Sequence, residues 1–219
     1  MFSHPIVSRE LLLTLLVQHV TLVAVATGIG IAFSMIVGIW ATRPERAGSA
    51  AVPILVRLLS LGQAIPSLAV LGLIMAFLGI GMRTAIAALA LYAIVPMMRN
   101  VIAGLSGVDS KVLDAAKGMG MSRRSILWRI ELPLAMPTII AGIRVAAVLT
   151  ISTAALSSQI GGGGLGRLIF MGLAMMDAEL MFLGAFPTAL LAIATDFTLG
   201  RVEKMLTSWR KSNRYERSV

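Results

Sequence analysis

Long apolar runs, separated by short polar stretches, set the pattern of this chain. Five of them are predicted to cross a membrane, because about 20 mainly apolar residues span the hydrocarbon core of a bilayer. They cover approximately residues 20–40, 54–78, 84–98, 138–158 and 180–199. Helices satisfy their backbone hydrogen bonds internally and are therefore the usual form of such runs. The pattern predicts an all-α, polytopic membrane protein.

Two further apolar segments leave the number of spans open between five and six. Residues 1–17 are too short to cross alone, so they form either an interfacial helix or an early extension of the first span. Residues 168–176 form either an additional membrane segment or a re-entrant or surface helix. We therefore divide the chain into an N-terminal segment (1–17), a transmembrane domain (18–200) and a basic tail (201–219).

The composition supports a membrane protein and excludes several other classes. Of the 219 residues, 58% are hydrophobic and only 13% are charged, with a mean hydropathy of +0.90. A soluble domain of this size would expose far more charge. The absence of cysteine excludes disulfides and thiolate metal sites, and His4 and His19 lack neighbouring ligands in helical register, so no metal site is predicted. The basic residues flank apolar runs, which argues against nucleic acid as a partner.

The distribution of lysine and arginine predicts the orientation in the membrane. Fifteen of the nineteen lie in residues 43–57, in residues 99–129 and in the tail from 201 onward, all on one side of the predicted bilayer. Cytoplasmic loops of membrane proteins carry this excess of basic residues. We therefore expect the C-terminus in the cytoplasm and, with an odd number of spans, the N-terminus outside.

Residues 109–133 are the most polar stretch between two predicted spans. Asp109 or Ser110 can cap a first short helix, and Ser122 can cap a second. Glycines at 118 and 120 predict a tight turn between the two. Pro133 is expected to end the second helix, since proline lacks the amide donor and disfavours helix in the residue before it.

The second of these helices has an amphipathic pattern. Ile126, Leu127 and Ile130 share one face, while three arginines lie elsewhere around the helix. A short amphipathic helix held between membrane spans is suited to docking into a groove on another protein. The pattern therefore predicts a protein-docking loop on the cytoplasmic side.

This stretch resembles the EAA loop of binding-protein-dependent ABC importer permeases. The family pattern is an acidic residue, two alanines, a glycine and a final Leu-Pro, with aspartate here in place of the usual glutamate. The resemblance implies a type I ABC importer transmembrane fold in the cytoplasmic (inner) membrane of a bacterium. It also implies a second permease copy or paralogue, two cytoplasmic ATPases that bind ATP and magnesium, and an external solute-binding protein. No cofactor and no catalytic residue is expected on this chain. The implied ATPase-docking residues are Asp114, Ala115, Ala116, Gly118, Met119, Gly120, Met121, Ser122, Arg123, Ile126 and Leu127.

Polar side chains within the predicted spans are candidates for a transport pathway. Buried polar groups in membranes face other helices or water-filled cavities rather than lipid. Two explanations remain open for them, namely hydrogen bonding between helices and a role in the pathway. The candidates are Gln63, Ser67, Thr150, Ser157 and Gln159. Arg144 is expected to reach toward the cytoplasm or to pair with another helix rather than to bind substrate.

Finer similarity indicates a subgroup of the family. Residues 63–69, 91–96, 117–121 and 141–144 resemble the permeases that import osmoprotectants such as glycine betaine, carnitine and choline. Members also carry a glycine-rich stretch like residues 161–166, which otherwise reads as a flexible external turn. Residues implied to contact the binding protein are Gly81, Arg83, Gly163, Gly164 and Arg167. The alternatives are an importer of methionine or a similar solute, and, in another class, a transporter or scaffold that needs no ATPase.

Overall fold

The computed structural model describes residues 7–43 and 64–215, together with positions 54, 57, 58, 60 and 61. Within these residues the chain is helical and contains no β-strand. The helices are α1 (Arg9–Ala41), α2 (Ser67–Leu78), α3 (Met82–Ser106), α4 (Ser110–Gly118), α5 (Arg123–Ile126), α6 (Leu132–Ala154), α7 (Gly166–Met175) and α8 (Ala178–Tyr215). The predicted all-α fold class is confirmed.

Four stretches of the described chain are long and apolar enough to cross a membrane. They are Arg9–Ala41, Met82–Ser106, Arg123–Ile160 and Ala178–Thr207. The main contacts join α1 to α3, α3 to α6 and α6 to α8, so the helices form one packed bundle. The predicted second span, residues 54–78, lies partly outside the described residues. Its C-terminal part is described and forms α2.

The start of α1 decides between an interfacial helix and an extension of the first span for the described part of the N-terminal segment. The helix α1 begins at Arg9, and the Ser8 hydroxyl caps it by accepting a hydrogen bond from the Leu11 amide at 3.1 Å. The helix then continues without interruption to Ala41. Residues 9–17 are therefore an early extension of the first span rather than a separate interfacial helix.

The second helix of the predicted docking loop does not end at Pro133, so that prediction is wrong. A π-helical segment, Leu127–Glu131, joins α5 to α6, and a 3-10 segment, Ala155–Ile160, continues α6. The result is one continuous helix from Arg123 to Ile160, called here the long helix. Pro133 lies in the first turn of α6 next to the π-helical segment. A proline is tolerated at this position because the altered hydrogen-bond register there does not need its missing amide.

Residues 168–176 do not form another span. The helix α7 has only 10 residues and packs against α8, with Leu168 and Gly172 buried. It is connected to the long helix by the glycine-rich stretch at residues 161–165. The following helix, α8, runs well past the predicted end of the last span at residue 199.

Candidate docking site and polar sites in the membrane

The predicted docking loop forms two helices joined by a short turn, as its sequence indicated. The Asp109 carboxylate accepts a hydrogen bond from the Lys111 amide at 2.9 Å and caps α4. The Ser122 hydroxyl accepts one from the Ser125 amide at 3.3 Å and caps α5. Both caps satisfy amides that have no partner within their own helix.

The turn between α4 and α5 depends on one glycine rather than two. Gly120 has a φ of +76°, in the left-handed region that other residues rarely adopt, and its amide donates to the Lys117 carbonyl at 2.9 Å. Gly118 is still helical, and the position of a side chain there is open. The interpretation of Gly118 as a turn residue is therefore corrected.

Most of the predicted docking residues lie on the surface of this turn. Those that are exposed are Asp114, Ala115, Gly118, Met119, Gly120, Ser122 and Arg123, while Met121 is half-buried. Met119 is the most exposed large apolar residue of this turn, at 73%. Asp114 forms an exposed ion pair with Lys117 at 2.9 Å.

Three of the predicted docking residues are instead buried within the protein. Ala116, Ile126 and Leu127 are 0%, 6% and 5% exposed. Leu127 packs in a cluster that includes Val101 and Leu105 of α3. The expected apolar contact face is therefore turned toward the bundle, and these residues attach the loop to the spans.

The four predicted pathway residues that the structure describes differ in their surroundings. Thr150 and Ser157 are buried, and their hydroxyls donate to the carbonyls of Ala146 and Ala154, each at 2.7 Å. Hydrogen bonding within the helix therefore accounts for these two. Ser67 is half-buried at the start of α2, and Gln159 is exposed near the end of the long helix. Gln63 lies outside the described residues.

Arg144 pairs with a neighbouring helix, one of the two expected outcomes. Its guanidinium contacts the Asp196 carboxylate through two nitrogens, at 2.6 Å and 2.8 Å, and Glu203 through a third at 3.3 Å. These contacts tie α6 to α8. The sequence analysis did not identify Glu203, because its separation from Arg144 gives no local signal of contact.

The residues predicted to meet a binding protein lie near one end of the bundle. The Gly81 amide donates to the Ile160 carbonyl at 2.9 Å, which brings the turn before α3 against the glycine-rich stretch. Arg83 and Arg167 are exposed. Gly163 is half-buried and Gly164 is buried, so this stretch is packed rather than freely exposed.

Comparison with known proteins identifies the family. The family described as "binding-protein-dependent transport system inner membrane component" matches residues 30–208. The chain belongs to this family. It is the permease subunit of an ABC importer, whose ATPase is a separate subunit.

Several curated relatives are similar to this permease over most of its length. The carnitine transport permease OpuCB of Listeria monocytogenes is 39% identical, with 87% of this chain and 85% of the relative covered. The choline transport system permease OpuBB of Bacillus subtilis is 37% identical, with coverage of 87% and 86%. The osmoprotectant import permease OsmY of Salmonella typhimurium is 37% identical, covering 83% of this chain and 76% of the relative.

Solved structures support the fold. The permease superposes on a chain of the MetNI methionine ABC transporter in an inward-facing conformation with a TM-score of 0.82. The two chains are 20% identical, and the match covers 92% of this permease and all of the other chain. At that identity the similarity shows the type I importer fold and carries no information about the substrate.

Proposed function

We propose that this permease belongs to an importer of osmoprotectants, such as glycine betaine, carnitine or choline. The observation that carries the proposal is its 36–39% identity, over 87% of its length, to permeases named for carnitine, choline and glycine betaine transport. The structural similarity to a methionine transporter does not favour the alternative, because only the fold is shared at 20% identity.

We further propose that an ATPase docks on the exposed surface of the α4–α5 turn. Met119, Gly120 and Arg123 offer an apolar side chain, an accessible backbone and a positive charge close together, while Ile126 and Leu127 hold the turn on the bundle. Two such turns, one from each permease of a pair, receive two ATPases. OpuCB and OpuCD are both named carnitine transport permeases of Listeria monocytogenes, which makes a paralogue as reasonable a second permease as another copy.

The opposite end of the bundle is proposed to face the solute-binding protein. Gly81 and Gly163 lie there near two exposed arginines, Arg83 and Arg167, which suit an acidic surface. Single cysteines replacing Arg83 or Arg167 are expected to react with an impermeant maleimide added outside intact cells. A cysteine replacing Ser122 is expected to react only after the membrane is opened. The reverse labelling pattern would overturn the proposed orientation.

The proposed function is tested by reconstitution. The permease, its candidate ATPase and its candidate binding protein are placed in liposomes, and ATP-dependent uptake of labelled glycine betaine, carnitine, choline and methionine is measured. Uptake of at least one of the first three, abolished without ATP or without the binding protein, is expected. Uptake of methionine alone would favour the alternative substrate, and uptake independent of ATP would contradict the proposed mechanism.

A further inference from the structure

The outer end of the long helix has a backbone carbonyl that a side chain from α1 satisfies. Where α6 becomes a 3-10 helix, the Ala155 amide donates to the carbonyls of Ser152 and Thr153 rather than to that of Ile151 four residues back. The Ile151 carbonyl accepts a hydrogen bond from His19 Nε2 at 3.1 Å instead. His19 is 0% exposed, and because a carbonyl only accepts, its ring carries a proton on Nε2.

The glycine-rich stretch is held by the same part of α1. Gln18 Oε1 accepts a hydrogen bond from the Gly164 amide at 3.1 Å. Gly163 has a φ of +78°, and the side-chain amide of Gln18 lies where a Cβ of residue 163 would be. Any side chain at position 163 would therefore overlap Gln18. The other ring nitrogen of His19, Nδ1, has no hydrogen-bond partner among the described residues and lies next to Gly164. Gln18 and His19 together are called here the α1 clamp.

The clamp acts on a segment that is also tied to the rest of the outer end. The Gly162 amide donates to the Ser157 carbonyl at 2.8 Å, and the Gly81 amide donates to the Ile160 carbonyl. The end of the long helix and the glycine-rich stretch that follows it are therefore connected to both α1 and the start of α3. At its other end the long helix begins at Arg123, directly after the docking turn. Its 38 residues correspond to about 57 Å, enough to carry a displacement from one side of the bilayer to the other.

We propose that Gln18 and His19 are positioning residues that make the outer ends of α1 and the long helix move as one body. This inference rests on the proposed function. When an ATPase displaces the docking turn, the long helix transmits the displacement, and the clamp passes it to α1. With the clamp broken, the long helix moves without α1, and ATP hydrolysis no longer opens and closes the outer side in step with substrate delivery.

Two pairs of variants test this in the reconstituted complex. His19→Leu removes the donor to Ile151, whereas His19→Gln keeps an amide donor at about the position of Nε2. Gln18→Met removes the acceptor for Gly164, whereas Gln18→Glu keeps a carboxylate oxygen there. Uptake and ATP hydrolysis are measured on the same liposomes, with and without loaded binding protein, and folding is checked by gel filtration of the assembled complex.

We expect His19→Leu and Gln18→Met to hydrolyse ATP with little dependence on the binding protein. Their uptake per ATP hydrolysed is expected to fall about ten-fold, a factor within the range for an unpaired buried polar group. His19→Gln and Gln18→Glu are expected to stay within about two-fold of the wild type by the same reasoning.

Three results would overturn the inference. The first is a wild-type ratio of uptake to ATP hydrolysis in His19→Leu and Gln18→Met, and the second is a loss of uptake and hydrolysis in the same proportion in these variants. The third is a loss of coupling in the conservative variants equal to that in His19→Leu and Gln18→Met. Should His19→Leu fail to assemble, the Gln18 pair decides. Failure of the wild-type complex to transport would instead contradict the proposed function, so the two failures are distinguishable.

Discussion

In the proposed orientation, the long helix has an inner end at the docking turn and an outer end at the glycine-rich stretch. These two ends are fixed to the bundle by opposite kinds of interaction. At the inner end, apolar side chains such as Leu127 pack against α3, and the polar surface of the docking turn remains exposed. At the outer end, the polar side chains Gln18 and His19 bind backbone groups of the glycine-rich stretch and the helix end. One helix thus has an end where polar groups are exposed at the surface and an end where polar groups are buried and bonded within the chain.

The difference follows from where water and partners are available. The docking turn lies beyond the apolar part of the long helix, so its exposed backbone and charges can bind water until a partner replaces it. The outer end bends back into the bundle, where an unpaired amide or carbonyl is costly. Side chains of α1 therefore replace water there. This contrast agrees with the two proposals, in which the exposed polar surface is a site for a partner and the polar attachment is a joint within the chain.

The largest effect is expected when the apolar attachment of the inner end is weakened. Leu127→Ala removes a side chain that is 5% exposed and is expected to destabilise the permease by about 2–5 kcal/mol. Capture of the ATPase should fall with it, because the docking turn loses its support. The matched control, Met119→Ala, alters a side chain that is 73% exposed and should weaken capture while leaving thermal stability unchanged. Equal destabilisation by the two variants would contradict the division into an attached face and a docking face.

A smaller effect is expected at the turn itself. Gly120→Ala places a side chain at a φ of +76° and is expected to cost about 1–2 kcal/mol, because the left-handed conformation is strained for alanine. Gly118→Ala is the control, since that position is helical and open, and it should be neutral or stabilising by up to about 1 kcal/mol. Thermal unfolding and ATPase pull-down measure both. A Gly118 variant as damaging as the Gly120 variant would show that the turn needs both glycines.

The smallest effect is expected from a single polar group at the outer end. Ser157→Ala removes a buried hydroxyl that bonds to the Ala154 carbonyl, and it should destabilise the permease by about 1 kcal/mol. Ser152→Ala is the matched control on an exposed position of the same helix and should change little. Uptake per ATP should remain normal in both, in contrast to the α1 clamp variants. A selective loss of substrate uptake in Ser157→Ala would restore this residue as a candidate for the pathway.

Short-range features of this permease were determined by the sequence itself. The apolar runs, the caps at Asp109 and Ser122 and the turn before α5 each depend on residues within a few positions of one another. The physical preferences that produce them act locally, so they can be recognised without a structure. The similarity of residues 109–133 to the family loop predicted the family to which the chain belongs.

Which face of a helix meets which neighbour was decided only by the tertiary structure. The pattern that places Ile126 and Leu127 on one face is the same whether that face enters a partner or the chain's own bundle, so the sequence could not distinguish them. Pro133 signals a helix end by itself, and only the adjoining π-helical segment allows the helix to continue. The bond from His19 to Ile151 joins residues 132 positions apart and exists because a 3-10 turn leaves that carbonyl free, which no local preference of the chain encodes.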